Sequence, residues 1–296
     1  MRSSRILRGA SLAAIFALAA LASLPNVGCG ATGSKRFAFE ARVAGAARTD
    51  GSASGPLTFV NETGWTVTLT KASVTLGPVY LNVIAPLRPT AFNRLEAIRL
   101  AHAAGESHLE GGRVVGEVLG QVTFDALSPA EVPMAPPGTI LEEEVRTLDL
   151  WFYPPPGVAP ETVKTDTVAL DVAGEATKGT DDVRFRGALV LDDAWLPNAQ
   201  AGQTGAQTIT SVRQVRGIPA DFTPTEGGHL TLRFDVRACF RGADFSNLAA
   251  NPRDPDGTRI LVQAKSGKVT TDQVMTNLYQ GMRASTGTYA AQWFPK

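Results

Sequence analysis

Two of the three histidines in this sequence lie close together with a carboxylate between them. His102 and His108 are six residues apart, and Glu106 separates them in a glycine-rich stretch. Neutral imidazole and carboxylate groups bind copper or zinc, and such a loop can fold its ligands toward one ion. His229 begins a predicted strand and could join them at the end of a sheet. The pattern therefore predicts a transition-metal site at His102, Glu106, His108 and His229; the alternative is exposed loop histidines with solvated carboxylates.

Other residue patterns that carry chemistry are weaker. The segment 251–257 places Asp254 and Asp256 before Gly257, as in a short calcium loop, but it lacks the distal glutamate. An ordinary Asp-Gly turn is the favoured interpretation. The sequence contains neither G-x-S-x-G nor H-E-x-x-H, and its adjacent carboxylates at 181–182 and 192–193 lie in predicted turns. We therefore predict a protein that is not an enzyme.

The N-terminus has the features of an export signal. Arg2, Arg5 and Arg8 precede an uncharged apolar run at residues 11–22, and a small residue, Gly28, stands before Cys29. The run is too short to span a bilayer comfortably. This order of basic start, short apolar core and small residue is typical of a secretory signal.

The segment 24–30 resembles the lipobox of bacterial lipoproteins, although Asn26 stands where that family prefers leucine. The resemblance implies that residues 1–28 are removed and that the Cys29 thiol carries a diacylglycerol, which anchors the protein to a membrane of the bacterial cell envelope. The alternative is an ordinary exported protein that is cut nearby. Residues 29–36 then form a tether and residues 37–296 a single β-rich domain.

Charge and cysteine content limit the partners. Residues 1–28 carry three of the 28 basic residues and none of the 28 acidic ones, which leaves a net charge of −3 for the remainder. Nucleic-acid binding is therefore not predicted, because the sequence has no excess of basic residues to contact phosphates. Cys239 is the only other cysteine, so an intrachain disulfide requires an unmodified Cys29.

Alternation of apolar and polar residues predicts about ten short strands, which favours an all-β, antiparallel sandwich or barrel-like domain.

Several local features are also predicted. A change of parity near Lys71–Ala72 predicts a β-bulge. Residues 230–236 are predicted to form a strand with Cys239 on its polar side. The proline-rich segment 129–137 is predicted to be an exposed excursion. Two short helices are predicted, at 91–102 and at 271–282, the second capped by Thr270 or Thr271. The four tryptophans, namely Trp65, Trp151, Trp195 and Trp293, lie in or beside predicted strands, and packing in the core or at its rim is the favoured interpretation. The alternative is an exposed pair that binds a sugar ring, and Trp195, which follows a strand, is the one expected at the surface.

A second resemblance concerns function. The sequences 101–103 and 107–108, in a β-rich chain with a phenylalanine-rich first strand, resemble periplasmic copper-binding proteins encoded with methanobactin systems. Residues 64–70 and 236–248 resemble segments of related uncharacterised proteobacterial lipoproteins. The resemblance implies an antiparallel β domain that binds copper through His102 and His108. The alternative is a metal-free interaction module that presents its loops to an envelope protein or a glycan.

Overall fold

Strands dominate the structure, a computed structural model that describes residues 34–48, 51–84, 113–152, 168–191, 214–262 and 272–296. Contacts within the chain separate residues 1–35 from Arg36–Lys296, and the fold below is that of the second unit. The strands are β1 (Arg36–Gly45), β2 (Leu57–Val60), β3 (Thr66–Leu76), β4 (Val79–Asn82), β5 (Val114–Val118), β6 (Val122–Asp125), β7 (Val132–Pro133), β8 (Gly138–Leu141), β9 (Val145–Trp151), β10 (Val168–Lys178), β11 (Asp181–Val190), β12 (Gln214–Phe222), β13 (His229–Phe234), β14 (Arg259–Ile260) and β15 (Tyr289–Phe294).

The strands form two sheets around one apolar core. The larger sheet has the order β12-β9-β4-β5-β8-β1-β13-β15, with β7 also paired to β1. The smaller sheet has the order β14-β11-β10-β3-β2, with β6 also paired to β3. The edge strands of the larger sheet approach each other, since the rings of Phe222 on β12 and Trp293 on β15 stack with centroids 5.7 Å apart. The sheets therefore form a nearly closed, barrel-like sandwich, which confirms the predicted fold class.

Local sequence patterns account for several of these elements. The hairpin of β10 and β11 turns at Gly179 and Thr180, where Gly179 has a φ of 62°. The predicted bulge is confirmed one residue from its expected place, because the register of β3 against β10 shifts at Thr70. At that shift a Cβ on Gly174 would lie 2.2 Å from the carbonyl oxygen of Thr68, so only glycine fits there.

Two pairings are parallel rather than antiparallel. β1 pairs with β13 over Glu40–Gly45, and β11 pairs with the two-residue strand β14. The alternation of side chains is the same in both kinds of sheet, so the sequence pattern could not reveal these two pairings.

The helices follow the sheets in sequence. Helix α1 spans Val236–Cys239, a 3-10 helix spans Ser246–Ala250, and α2 spans Gln273–Arg283. The prediction of α2 is confirmed, but its cap is Asp272, whose carboxylate accepts a hydrogen bond from the Met275 amide. The predicted helix at 91–102 lies outside the described residues. None of the described helices has both the length and the apolar composition needed to cross a bilayer.

The expectation for Cys239 is wrong. β13 ends at Phe234, and the Asp235 carboxylate accepts a hydrogen bond from the Arg237 amide to begin α1. This helical turn moves Cys239 off the strand pattern, so its unpaired thiol is 1% exposed in the core. Burial raises the pKa of the thiol far above its ordinary value.

The proline-rich segment 129–137 is only partly an exposed excursion. Val132 and Pro133 form β7 against β1, and the Met134 side chain is buried. Pro133 has no backbone N–H group to donate, which a strand as short as β7 tolerates. The exposed prolines Pro136 and Pro137 follow it. The segment therefore belongs to the larger sheet.

Candidate functional site

The structure describes one of the four predicted metal ligands. His229 begins β13, is partly exposed, and stacks on Phe294 with ring centroids 5.1 Å apart. Its partner across the strand pair is Glu40, whose carboxylate accepts a hydrogen bond of 2.8 Å from Arg42. The nearest carboxylate in register with the imidazole is therefore engaged by a guanidinium group.

The other predicted ligands, His102, Glu106 and His108, lie outside the described residues, and so does Cys29. Within residues 34–48, 51–84, 113–152, 168–191, 214–262 and 272–296, no three histidine, cysteine, aspartate or glutamate side chains come close enough to hold a metal ion. The four-residue metal site thus stays a prediction.

The segment 251–257 forms an Asp-Gly turn, as predicted. Both carboxylate oxygens of Asp254 accept hydrogen bonds from the Arg186 guanidinium, at 2.6 and 2.9 Å. The Asp256 carboxylate accepts from the amide and hydroxyl of Thr258, which lowers its pKa. Gly257 follows with a φ of 87°. Hydrogen bonds within the protein thus use the oxygens that a calcium ion would need.

The tryptophan prediction holds for the three described residues. Trp65 and Trp151 are each 1% exposed and Trp293 is 8% exposed. Trp195 lies outside the described residues.

An unusual set of polar side chains lies on the face of the larger sheet opposite the core. On β4, β9 and β12 the residues Val79, Leu81, Leu148, Leu150 and Val215 point into the core. The alternate residues must therefore point to the other face. We call this set the polar face. It consists of Tyr80, Asn82, Thr147, Asp149, Trp151 and Gln214, together with Glu117, the register partner of Tyr80 on β5.

The polar face is largely buried, which is uncommon for polar residues on the outside of a sheet. Thr147 is 4% exposed, Asn82 is 8% exposed and Gln214 is 9% exposed. The Thr147 hydroxyl donates a hydrogen bond of 3.0 Å to the carbonyl oxygen of Ile84. A buried polar group without a hydrogen-bond partner lowers the stability of the fold. Any such group on this face therefore points to a role other than stability.

Asp149 is the central acid of the polar face. The register of β12 against β9 shifts between Val215 and Ile218, and the amide of Gly217 in that bulge donates a hydrogen bond of 2.9 Å to Asp149 Oδ1. The nearby Asn82 side chain also favours the charged form of the carboxylate and so lowers its pKa. Burial nevertheless raises the pKa of Asp149 above its ordinary value, because desolvation outweighs these contacts.

Tyr80 lies between two carboxylates on this face. In the sheet its register partners are Asp149 on β9 and Glu117 on β5. Burial raises the pKa of the Tyr80 hydroxyl, and the negative charge of Glu117 adds to that effect. The hydroxyl is therefore a neutral donor and acceptor at physiological pH.

Trp151 and Gln214 are register partners that carry donors without acceptors. The Gln214 carbonyl Oε1 accepts a hydrogen bond of 2.7 Å from Arg216 Nε. Among the described residues, neither the Gln214 amide nitrogen nor the Trp151 indole nitrogen has a hydrogen-bond acceptor. Two adjacent buried donors without partners are rare in folded proteins, and such groups are a reason to look for a ligand.

A cleft of about 580 Å³ lies between the tip of the β10–β11 hairpin and the 3-10 helix. Its floor includes Trp65 and Phe245, and its rim includes Asp182, Arg184 and Arg259. The buried polar group on its floor is paired, since the Trp65 indole donates to Asp244 at 3.2 Å. Within the described parts of the chain, the cleft therefore lacks the unpaired donors of the polar face.

Comparison with known proteins gives no family for this chain. No family model, curated protein or solved structure matches it.

The polar face could not be predicted from the sequence, although the sequence contains part of its pattern. The alternation in residues 148–152 places Asp149 and Trp151 on one side and the leucines on the other. What the sequence did not show was that Tyr80 and Gln214, which lie 69 and 65 positions from Asp149, pair with the same strand.

Proposed function

We propose that this protein is a lipid-anchored protein of the bacterial cell envelope that binds a ligand through the polar face and performs no catalysis. The signal-like N-terminus and Cys29 support the anchor. The half-buried acid Asp149 beside the unpaired donors of Trp151 and Gln214 carries the proposal of a binding site. A cluster of perturbed and unpaired polar groups is more typical of a functional site than of a structural sheet surface.

The anchor gives the first prediction. Cys29→Ser removes the thiol that would be acylated, so the protein is expected to move almost completely from the membrane fraction to the soluble fraction. Cell fractionation and mass spectrometry of the N-terminal peptide measure this change. Cys239→Ser is the matched control and should leave the protein in the membrane fraction. An unmodified thiol at Cys29 in the wild-type protein would contradict the proposal.

The binding site gives the second prediction. A Tyr80→Ala/Asp149→Ala double variant should fail to retain a ligand or partner that the wild-type protein recovers from envelope extract, because both polar groups at the centre of the face are removed. The His102→Ala/His108→Ala variant should still recover it, since these histidines are not part of the polar face. Equal recovery by all three proteins would exclude the polar face as the binding site.

A second candidate function is copper binding through His102 and His108, and the direction of the strands favours it. β1 is parallel to β13, and β8 is antiparallel to both β1 and β5. The first residue of β5 and the last residue of β4 therefore lie at the same end of the sheet as His229, which is the first residue of β13. Residues 85–112 connect those two strand ends, so the two histidines of this segment are joined to the same end of the sheet as His229.

Metal analysis tests this second function. Protein purified from copper-supplemented cells is expected to contain about one copper ion per chain, and the His102→Ala/His108→Ala variant is expected to contain none, since copper needs its imidazole ligands. His229→Ala should weaken retention if that residue completes the site. The absence of copper above background in the wild-type protein would reject this function.

A further inference from the structure

We propose that the cleft beside the tip of the β10–β11 hairpin binds an extended peptide with a free C-terminal carboxylate. The peptide adds as a short strand to the open edge of β11. The cleft is a different region from the polar face, so this site does not rest on the proposed function. Three features carry it: the uncovered edge of β11, the size of the cleft, and the charges at its two ends.

The edge of β11 that faces the cleft is covered over only part of its length. β14 pairs with β11 at Phe185 and Arg186, and β14 begins only at Arg259. Among the described residues, no strand pairs with the preceding part of this edge, residues 181–184. The same four residues line the cleft, so a ligand can reach this edge of the strand.

The peptide groups of Asp182 point to the side of the cleft. The Arg186 carbonyl oxygen accepts a hydrogen bond of 2.8 Å from the Leu261 amide, so the peptide groups of Arg186 face away from β10. That orientation recurs every second residue, and the register of β11 against β10 is unbroken between Asp181 and Leu189. Asp182 therefore presents its exposed N–H and C=O groups outward, where the described chain offers them no partner. An added strand would pair with both groups.

The lower end of the open edge is set by the turn at 251–257. Both carboxylate oxygens of Asp254 accept hydrogen bonds from Arg186, and the Arg184 guanidinium donates to the Asp256 carbonyl oxygen. These contacts hold the turn against β11, and Gly257 of the turn lines the cleft. The gap before β14 is therefore a formed part of the fold.

The dimensions of the cleft match a short extended peptide. A strand rises about 3.3 Å per residue, so the four open residues of β11 offer an edge about 13 Å long. The cleft volume of about 580 Å³ lies within the range of about 300–1,000 Å³ that is usual for ligand sites. Ser246 and Ala249, which are both exposed, form the wall opposite the strand. Three or four residues with small side chains would fill this space.

The two ends of the cleft carry opposite charges. At the hairpin tip, Asp181 and Asp182 are exposed, and within the described parts of the chain they have no ion pair or side-chain hydrogen bond. At the other end lie Arg184 and Arg259. Arg259 donates a hydrogen bond of 3.3 Å to the Asn251 carbonyl oxygen, which leaves other N–H groups of its guanidinium for a ligand.

These charges set the direction of the peptide. A peptide that runs parallel to β11 places its ammonium group beside the two aspartates and its carboxylate beside the two arginines, where charge-assisted hydrogen bonds are strong. β14 is also parallel to β11, so the peptide would continue the existing strand pairing in the same direction. A free anion or cation would use only one end of the cleft and would leave the peptide groups of Asp182 unpaired.

Calorimetry with a defined peptide tests the inference. Full-length protein in detergent would be titrated with the tetrapeptide Lys-Val-Ala-Val, which has a free C-terminal carboxylate. It is expected to bind with a Kd below about 1 mM, and its C-terminal amide is expected to bind about tenfold more weakly, because the arginines lose a charged partner. Absence of binding at millimolar concentration, or equal binding of the acid and the amide, would overturn the proposal.

Variants of the chain separate the two kinds of contact. Arg259→Gln should weaken binding of the free acid about tenfold and leave binding of the amide unchanged. Asp182→Pro removes the outward N–H group without removing a hydrogen bond to β10, so it should weaken binding more than Asp182→Ala, which removes only the carboxylate. Glu142→Ala, at an exposed carboxylate on the larger sheet, is the control and should bind as the wild type does. Equal affinities of Asp182→Pro and Asp182→Ala would overturn the strand pairing.

A further measurement does not depend on the folding of the variants. Three analogues of the tetrapeptide, each N-methylated at one peptide bond, would be titrated into the wild-type protein. Because alternate N–H groups of an added strand face β11, methylation at these positions should weaken binding about tenfold and methylation of the others should not. Three equal affinities would show that the peptide does not bind as a strand.

Discussion

Replacing Asn61 with alanine is expected to lower the free energy of unfolding by about 4 kcal/mol. Asn61 is 8% exposed and joins the turn before β3 to the segment after α1. Its amide nitrogen donates to the carbonyl oxygens of Phe240 and Ala243, at 3.1 and 2.7 Å. Its Oδ1 accepts from the backbone amides of Thr63 and Trp65, at 3.1 and 3.0 Å. Alanine removes the Oδ1 acceptor of the Thr63 and Trp65 amides and one donor from each carbonyl oxygen, although the Phe240 oxygen keeps the Ala243 amide and the Ala243 oxygen keeps the Thr63 hydroxyl. Each buried amide that is left without a partner costs about 1–3 kcal/mol.

Urea denaturation followed by circular dichroism measures this loss. Asn61→Asp has nearly the same shape but turns a carboxylate oxygen toward the two carbonyl oxygens, so it should be destabilised as strongly as Asn61→Ala. Asn247→Ala is the control, since Asn247 is an exposed asparagine in the same region, and its free energy of unfolding should change by less than about 0.5 kcal/mol. A loss below about 1 kcal/mol for Asn61→Ala would show that water replaces these hydrogen bonds.

The strands of this fold could be predicted because their faces differ in environment. β1, β10, β11 and β15 each alternate between core and solvent, and their period of two is visible in the sequence. Their partners could not be predicted in the same way. The pairing of β1 with β13 joins residues almost 190 positions apart, and nothing local to either strand specifies it.

The error at Cys239 has a local cause. Asp235 continues the alternation of β13 in the sequence, but its carboxylate also caps the next amides and starts a helical turn. An aspartate can end a strand or begin a helix, and the four residues of α1 are too few to show a helical period. Because Asp235 caps α1, Cys239 lies on a helical turn and points into the core instead of continuing the alternation of β13.

The candidate site was harder to predict than the fold because it depends on register. Asp149 receives the Gly217 amide only because a bulge in β12 turns that N–H group outward. Bulges of this kind often reorient backbone and side chains at functional sites. The histidines drew attention in the sequence because they are chemically distinctive, whereas Asn82, Gln214 and Tyr80 become notable only when pairing and burial are known.

The packing of α1 on α2 gives the second strong prediction, at Gly281. A Cβ at this position would lie 2.4 Å from Cys239 Cα and 3.0 Å from the Ala238 carbonyl oxygen. Both neighbours are backbone atoms, so they cannot move aside as the end of a side chain could, and the two helices would have to separate. Gly281→Ala is therefore expected to cost about 3 kcal/mol of stability, although alanine is the better helix former.

Separation of the helices would also expose the thiol that they bury. In a Cys29→Ser background, where Cys239 is the only cysteine, Gly281→Ala should make Cys239 react faster with a thiol reagent under native conditions and should lower the urea midpoint. Gln280→Ala changes the adjacent, exposed position of the same helix and should alter neither quantity. If Gly281→Ala instead raised the midpoint, as expected from helix propensity alone, the close approach of α1 and α2 at Gly281 would be refuted.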